Sequence, residues 1–477
     1  MDFDLNKRYC FHFNAISMIP RGSRNEKAVS DYIAGFAKEH RLAYKQDEVW
    51  NVLVEKPASA GYEDAEPVVL QAHIDMVCEK NNDIVHDFEK DPLDLYVEDG
   101  WLHARGTTLG ADDGQGVAYM LAILEDETLE HPKLQCIFTS MEEIGLIGAS
   151  ALKKEDIIGK QLINLDGGGE TRTCVSSAGG ARARITKQVS FAGNTDPAYT
   201  LRVRGLLGGH SGGMIHLERG NSNILAARIL REMQDAGCDI RIADFRGGLK
   251  FNAIPREADI LFVSCDPKEK LENALKPAAE NIRGELEFSD PGFSAFLDEA
   301  PKPEKALTQK DTDDILNMMY VMPNGFQHRS LAIEGLTTAS LNAGVVYFEN
   351  DVFTIDDMIR SAAASHTDTL ILQIRILGRA FGFEISVHDR YGGWAFSSRS
   401  RLREILRDVL KEKGIEMMER AAHGGLECGI FKALIPDMDI ITYGPISTGE
   451  HTPDEKLDLA SFDRAYANLC EVLRRCR

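Results

Sequence analysis

Basic residues are scarce in this chain. Its 54 lysines and arginines stand against 75 aspartates and glutamates in 477 residues, a formal net charge of -21 at pH 7. Displacing counterions from a polyanion takes clustered cations, so the deficit argues against a nucleic-acid partner. The acidic excess reads first as a solubility feature. Long apolar runs are lacking too: no stretch approaches a membrane span, and the opening MDFDLNKRYCFHFN carries charges where a secretory leader has its apolar core. Neither membrane association nor export is expected. The nine cysteines, scattered from Cys10 to Cys476, form no C-x-x-C pair and no cluster. That excludes a disulfide framework and a structural zinc ribbon, and it suits a reducing cytoplasm.

What is present is ordinary for a folded, soluble protein: 43% hydrophobic and 27% charged residues. The length calls for more than one domain. From about Asn25 to Asp166 a helix (KAVSDYIAGFAKEH) is followed by strands NVLVEK, PVVLQAHI, LQCIFTS and QLINLD, with Val117, Met120, Leu121 and Leu124 at helical spacing between two of them. This is the pattern of an α/β sheet with covering helices. From about Ala181 the texture becomes α+β, and after about Gly392 helices again flank a strand, DIITYGP. The reading is a catalytic domain with a mostly parallel sheet, residues 1–180 and 393–477, interrupted by a large α+β insertion, residues 181–392.

The stretch TSMEEIGLIG sets Glu142 and Glu143 side by side where an apolar strand gives out. Acidic residues commonly begin helices, which is explanation enough for one such pair. Other strand ends repeat the theme. His73 and Asp75 in QAHIDMV point to one face of an extended segment. Asp112 and Asp113 lie in GTTLGADDGQG before a helix that they could cap. Asp166 follows QLINL and resembles a turn residue, and His451 sits in a loop after DIITYGP. Each has a mundane reading alone. Together, imidazoles and carboxylates at strand carboxyl ends converge on the ligand crevice of an open α/β sheet. Two histidines and three carboxylates suit a pair of zinc ions, or another transition-metal pair such as cobalt or manganese, sharing one bridging carboxylate. Glu143 then gives an oxygen to metal while Glu142 stays free to take a proton from the attacking water, an arrangement suited to hydrolysis.

The motifs QAHIDMVCEK, GTTLGADDGQGVA, GGHSGGMIHLERGN, FNAIPREA, HGGLECG and HTPDEKL resemble, in order and over essentially the whole chain, those of the co-catalytic zinc exopeptidases that include peptidase V, peptidase T and carboxypeptidase G. The resemblance implies that His73 and Asp166 bind one zinc, Glu143 and His451 the other, and that Asp112 bridges them. It makes Asp75 the residue that orients His73 and Glu142 the general base. It makes the insertion a lid whose His210 stabilises the oxyanion, and it gives Asn252, Arg360 and the Gly425 amide the task of holding the substrate and its terminal carboxylate. On sequence alone Arg360 reads as a solvated arginine on a helix. A cis peptide is implied between Asp112 and Asp113. The implied activity is a dipeptidase for unblocked dipeptides, Xaa-His compounds among them. An amidase for N-acyl amino acids, a tripeptidase and a non-catalytic binding protein on the same fold stand as alternatives. A homodimer is left open, with His210 acting in its own subunit or in a partner's. The chain departs from its relatives in GGGE after Asp166, which touches the surroundings of the metal ligand rather than the ligand itself.

Overall fold

The computed structural model describes residues 3–477. The chain divides into two compact units. One takes the chain up to Ser176 together with Trp394–Ala421 and Leu426–Arg477; the other takes Ser177–Gly393 and Ala422–Gly425.

The first unit is built on a six-stranded sheet in the order Ala43–Gln46, Val52–Lys56, Leu134–Thr139, Val68–His73, Gln161–Asn164, Asp439–Thr442. The last four strands run parallel, and the first two are antiparallel additions at one edge. Every residue of Val68–His73, Leu134–Thr139 and Gln161–Asn164 is buried, as parallel strands covered on both faces must be. Their near-continuous apolar runs follow from that double coverage. The core also draws on the helices Arg8–Ser17, Lys27–Glu39, Ala111–Glu125, Arg401–Glu412 and Leu459–Arg475. Because these last four strands are parallel, their carboxyl ends emerge on one side, and each continues into a loop bearing an acid or imidazole.

The second unit holds a nine-stranded antiparallel sheet. Its main path runs Ser294–Ala300, Ala198–Arg204, Ala258–Val263, Arg241–Gly247, Thr337–Glu349, Val352–Ser361, Gly179–Gln188, Glu384–Tyr391, and Gly325–Arg329 pairs off that path with Thr337–Glu349. Four helices, Ser222–Asp235, Lys268–Glu285, Gln309–Val321 and Ala364–Phe381, supply apolar residues to the core with the sheet. Phe353, Ile355 and Ile359 face that core from one side of the strand Val352–Ser361. On its opposite face Asp356 pairs with Arg182 at 2.9 Å and Arg184 at 2.9 Å.

Two features of this strand depart from the sequence reading. Arg360 is not on a helix and is not solvated: it lies within Val352–Ser361 and is 5% exposed. The strand is buried from Phe353 to Ser361, so polar and apolar residues do not alternate along VFTIDDMIRS and the period that identifies a strand is missing. Asp357, in turn, points into the apolar core. Its Oδ1 accepts from the Asn342 amide at 2.9 Å, while Oδ2 has no partner. Burial pushes this carboxyl up to about 7.

A carboxyl whose folded pKa is raised favours folding only while protonated. The contribution is whole below the unfolded value near 4 and is lost as the pH rises to about 7. Asp357→Asn, neutral throughout, is therefore expected to stabilise the protein relative to the parent by a widening margin from pH 5 to pH 8, reaching a few kcal/mol. Thermal unfolding midpoints of both proteins at the two pH values check this; a margin that does not grow with pH shows that the carboxyl is ionised in the fold.

Candidate metal centre

His73 is the last residue of Val68–His73 and is 1% exposed. Leu134–Thr139 runs on into Glu142 and Glu143, Gln161–Asn164 into Asp166, and Asp439–Thr442 into the loop that carries His451. Asp112 enters from the first turn of Ala111–Glu125, where the helix is interrupted: Asp112 and Asp113 have non-helical backbone, and the peptide joining them is cis. The two neighbours divide the roles the sequence left open. Asp113 turns inward to accept from the Gly116 amide at 3.2 Å, so it serves the helix start, while Asp112 points away.

Asp112 is the hub of the cluster. Its Oδ1 lies 2.9 Å from His73 Nε2 and its Oδ2 3.2 Å from His451 Nε2. His451 Nε2 is also 3.1 Å from Glu143 Oε1. Donor atoms of His73, Asp112 and Glu143 all fall within 4.8 Å of one another. Asp166 belongs to the same neighbourhood, for the charge of Asp112 bears on its carboxyl. Four of the five expected ligands, His73, Asp112, Glu143 and His451, are thus linked by direct contacts.

Further side chains hold this arrangement. Asp75 lies 3.4 Å from His73 Nδ1, and its oxygens accept from the amides of Glu142 (3.0 Å) and Glu143 (3.2 Å) and from the Ser23 hydroxyl (2.8 Å). One buried carboxylate therefore fixes both glutamates through their backbone. Glu455 does the same for the opposite loop, accepting from the amides of Leu109, Gly110, Ala111 and Asp112 at 2.8 to 3.3 Å. The fully buried Arg21 donates to the carbonyls of Ile74, Asp75 and Gly110. Glu427 is held by Gln71 and Thr139, side chains of the two central strands, with its Oε1 unpaired. Sequence reasoning missed Arg21, Glu427 and Glu455. Glu455 lay within a quoted motif, HTPDEKL, but nothing in a sequence says which backbone amides a carboxylate will reach.

The GGGE segment has a packing explanation. A Cβ on Gly167 would stand 2.6 Å from the Tyr443 backbone. Glu170 is paired with Arg464 at 2.7 Å.

Burial pushes Glu142 up to about 8, with Glu427, Glu143 and Asp112 adding to the rise against the pull of His73. Burial likewise raises Asp166 well above the carboxylate range, reinforced by Asp112, and Glu427 to about 7. Hydrogen bonds to Asp112 and Glu143 lift His451 to about 10. Burial opposes ionisation of Asp112 as well, but the hydrogen bonds from His451 and His73 prevail and hold it low.

The residues fit a pair of divalent cations. The two oxygens of Asp112 address different imidazoles, as a bridging carboxylate must, and Glu143 Oε1 meets one of those same imidazoles, His451. Two nitrogens and three carboxylates are the donor set of zinc and its neighbours.

His210, Asn252, Arg360 and Gly425 belong to the second unit, where they form a chain of contacts of their own. The short strand Gly209–His210 pairs with Ala253–Ile254, and the Asn252 carbonyl accepts from the Ser211 amide at 2.9 Å. His210 is exposed; its Nδ1 accepts from the Gly213 amide at 3.2 Å, which leaves Nε2 outward. Partial burial, then the charge of Arg360, lowers its pKa. Arg360 Nε donates to the Ser211 hydroxyl at 3.3 Å.

Residues 69–475 match the profile of peptidase family M20/M25/M40. The cytosol non-specific dipeptidase of Escherichia coli (strain K12) is 37% identical over 472 residues, 97% of this chain and 96% of that one. The crystal structure of aminoacylhistidine dipeptidase from Vibrio alginolyticus superposes with a TM-score of 0.91 at 33% identity, covering 98% of this chain and 96% of the other. Aminopeptidase PepT from Bacillus cereus, at 14% identity and a TM-score of 0.58 over the whole of both chains, shares the fold.

Removing the Glu455 carboxylate strips four amides of the Asp112 loop of their acceptor. Glu455→Ala is expected to weaken metal retention about 10- to 100-fold, the usual scale for losing a group that supports a ligand. Competition with a chromogenic chelator measures it, and unchanged retention would mean that the loop is set by other contacts.

Proposed function

The chain belongs to peptidase family M20/M25/M40, and from that membership and the cluster around Asp112 we propose that it is a metal-dependent dipeptidase hydrolysing unblocked dipeptides, Xaa-His compounds included. The observation that carries the reading is the pair of oxygens on Asp112, each turned to a different imidazole. His73 and Asp166 would hold one zinc ion, Glu143 and His451 the other, with Asp112 between them. Such an ion pair, when bound, polarises the scissile carbonyl and acidifies a water.

The side chains do the rest. Glu142 accepts the proton of the attacking water and passes it to the departing amine, the role of a general acid-base group. Asp75 keeps His73 in register and fixes the Glu142 backbone. His210 presents Nε2 to the developing oxyanion. Asn252, Arg360 and the Gly425 amide hold the substrate, the arginine through its fork on the terminal carboxylate. The first unit serves as the catalytic domain and the inserted unit as the lid. The setting is the cytoplasm, in keeping with the name of the Escherichia coli relative. Among the described residues no helix is long and apolar enough to cross a membrane.

Removal of divalent cations by a chelator is expected to abolish dipeptide hydrolysis, and zinc, cobalt or manganese to restore it; turnover by the metal-stripped protein would end the proposal. Glu142→Ala should lower kcat by about 10²- to 10⁴-fold, the range for a general base, with metal content by atomic absorption unchanged. Near-parent turnover in that variant would take the base role from Glu142. A free dipeptide, its N-acetyl form and a tripeptide assayed side by side should give efficient cleavage of the first alone. Preference for the second would instead identify an amidase, and for the third a tripeptidase.

A further inference from the structure

Among the described residues Arg360 is a buried cation without a carboxylate partner. It is 5% exposed, and its only side-chain partners among the described residues are two hydroxyls: Ser211 Oγ at 3.3 Å from Nε, and Tyr391 Oη at 3.3 Å from Nη1. A guanidinium removed from water and left without a carboxylate is costly unless a ligand completes it. The strand register shows how the phenol comes to be there. Ser340 pairs with Arg360, Arg360 with Gly180, and Gly180 with Tyr391, so the four form one row across the sheet. Side chains in such a row share a face. Gly180 is the gap through which Arg360 and Tyr391 meet: a Cβ there would lie 2.6 Å from Cε1, Cζ and Oη of the tyrosine ring.

The segment Ala422–Gly425 closes over the row. His423 Nε2 lies 2.7 Å from the Ser340 hydroxyl. Gly425 rests on the tyrosine, where a Cβ would be 2.8 Å from Cε2. One ring therefore touches the glycine and bonds to the arginine that the proposed function assigns to the substrate carboxylate. The phenol oxygen accepts from the guanidinium, so its own proton is free to be donated outward. A hydroxyl polarised in this way is a stronger donor than one in isolation.

We propose that Tyr391 is a further substrate-binding residue, donating its phenolic hydrogen to the terminal carboxylate of the dipeptide and holding Arg360 and Gly425 in register around it. The inference rests on the dipeptidase reading of the site. Gly180 is the position that permits it, a glycine required by close approach rather than by backbone conformation. The site so formed selects an anion: a carboxylate satisfies the phenol and the guanidinium together, whereas a terminal amide offers one neutral oxygen.

The test compares a free dipeptide, Ala-Ala, with its C-terminal amide in the metal-loaded protein. Tyr391→Phe keeps the ring between the two glycines and removes only the hydroxyl. It is expected to raise KM for Ala-Ala about tenfold, the scale of a hydrogen bond to a charged group, with kcat within about threefold, and to raise KM for the amide by a smaller factor. Gly180→Ala, which drives the ring off Arg360, should shift KM in the same direction. An unaltered KM in Tyr391→Phe overturns the proposal, and so does an equal loss on acid and amide, which would mark a structural role only. Arg360→Ala separates the two levels. If it penalises the acid over the amide, the carboxylate reading stands whatever Tyr391 does. If it does not, that reading fails and the role of Tyr391 falls with it.

Discussion

Crowding of carboxyl groups away from water is the constraint around which the first unit is organised. Asp75, Asp112, Asp113, Glu142, Glu143, Asp166, Glu427 and Glu455 bear on one another's charge, and four of them, Asp75, Asp113, Glu427 and Glu455, are buried. Such groups repel one another and lose hydration, a cost that only hydrogen bonds and cations offset. The acids divide by what their oxygens do. Asp75, Asp113 and Glu455 spend theirs on backbone amides and build the loops. Asp112 and Glu143 face imidazoles instead. Glu142 and Glu143 are neighbours because one carboxylate, Asp75, can then fix both amides while their side chains go to different tasks.

The second unit solves the reverse problem. Its sheet separates an apolar face, packed by helices, from a polar face where arginines outnumber acids along one stretch. Asp356 neutralises Arg182 and Arg184, but Arg360, farther along the same strand, has only hydroxyls.

Much of this was legible before any coordinates. The parallel strands announced themselves as apolar runs ending in acids or imidazoles, and the expectation of a cluster came from where those runs stop and from the glycine-rich loop that carries Asp112. Their legibility has a physical origin: double burial forces continuous hydrophobicity, so a polar residue at the end of such a run stands out. Arg360 was misjudged for the same reason in reverse. Its strand is buried yet contains Thr354, Asp356 and Asp357, so neither alternation nor continuous hydrophobicity identifies it. Arg21 and Glu455 could not be recognised because their work is done on backbone groups, which every sequence has and none displays. Tyr391 depends on what is missing at Gly180, and an absent side chain gains meaning only once strand register is known.

His451 and Glu455 occupy one tight turn, closed by bonds from the Thr452 amide to the Gly449 carbonyl and from the Glu455 amide to the Thr452 carbonyl. One end of the turn delivers an imidazole to Asp112, and the other clamps the loop from which Asp112 projects. The segment thus works as a gauge block, its length setting the separation between the two sides of the centre. A residue inserted or deleted there would spoil both at once, so this turn is expected to hold its length through divergence while stretches such as the exposed run around Val85 are free to grow or shrink.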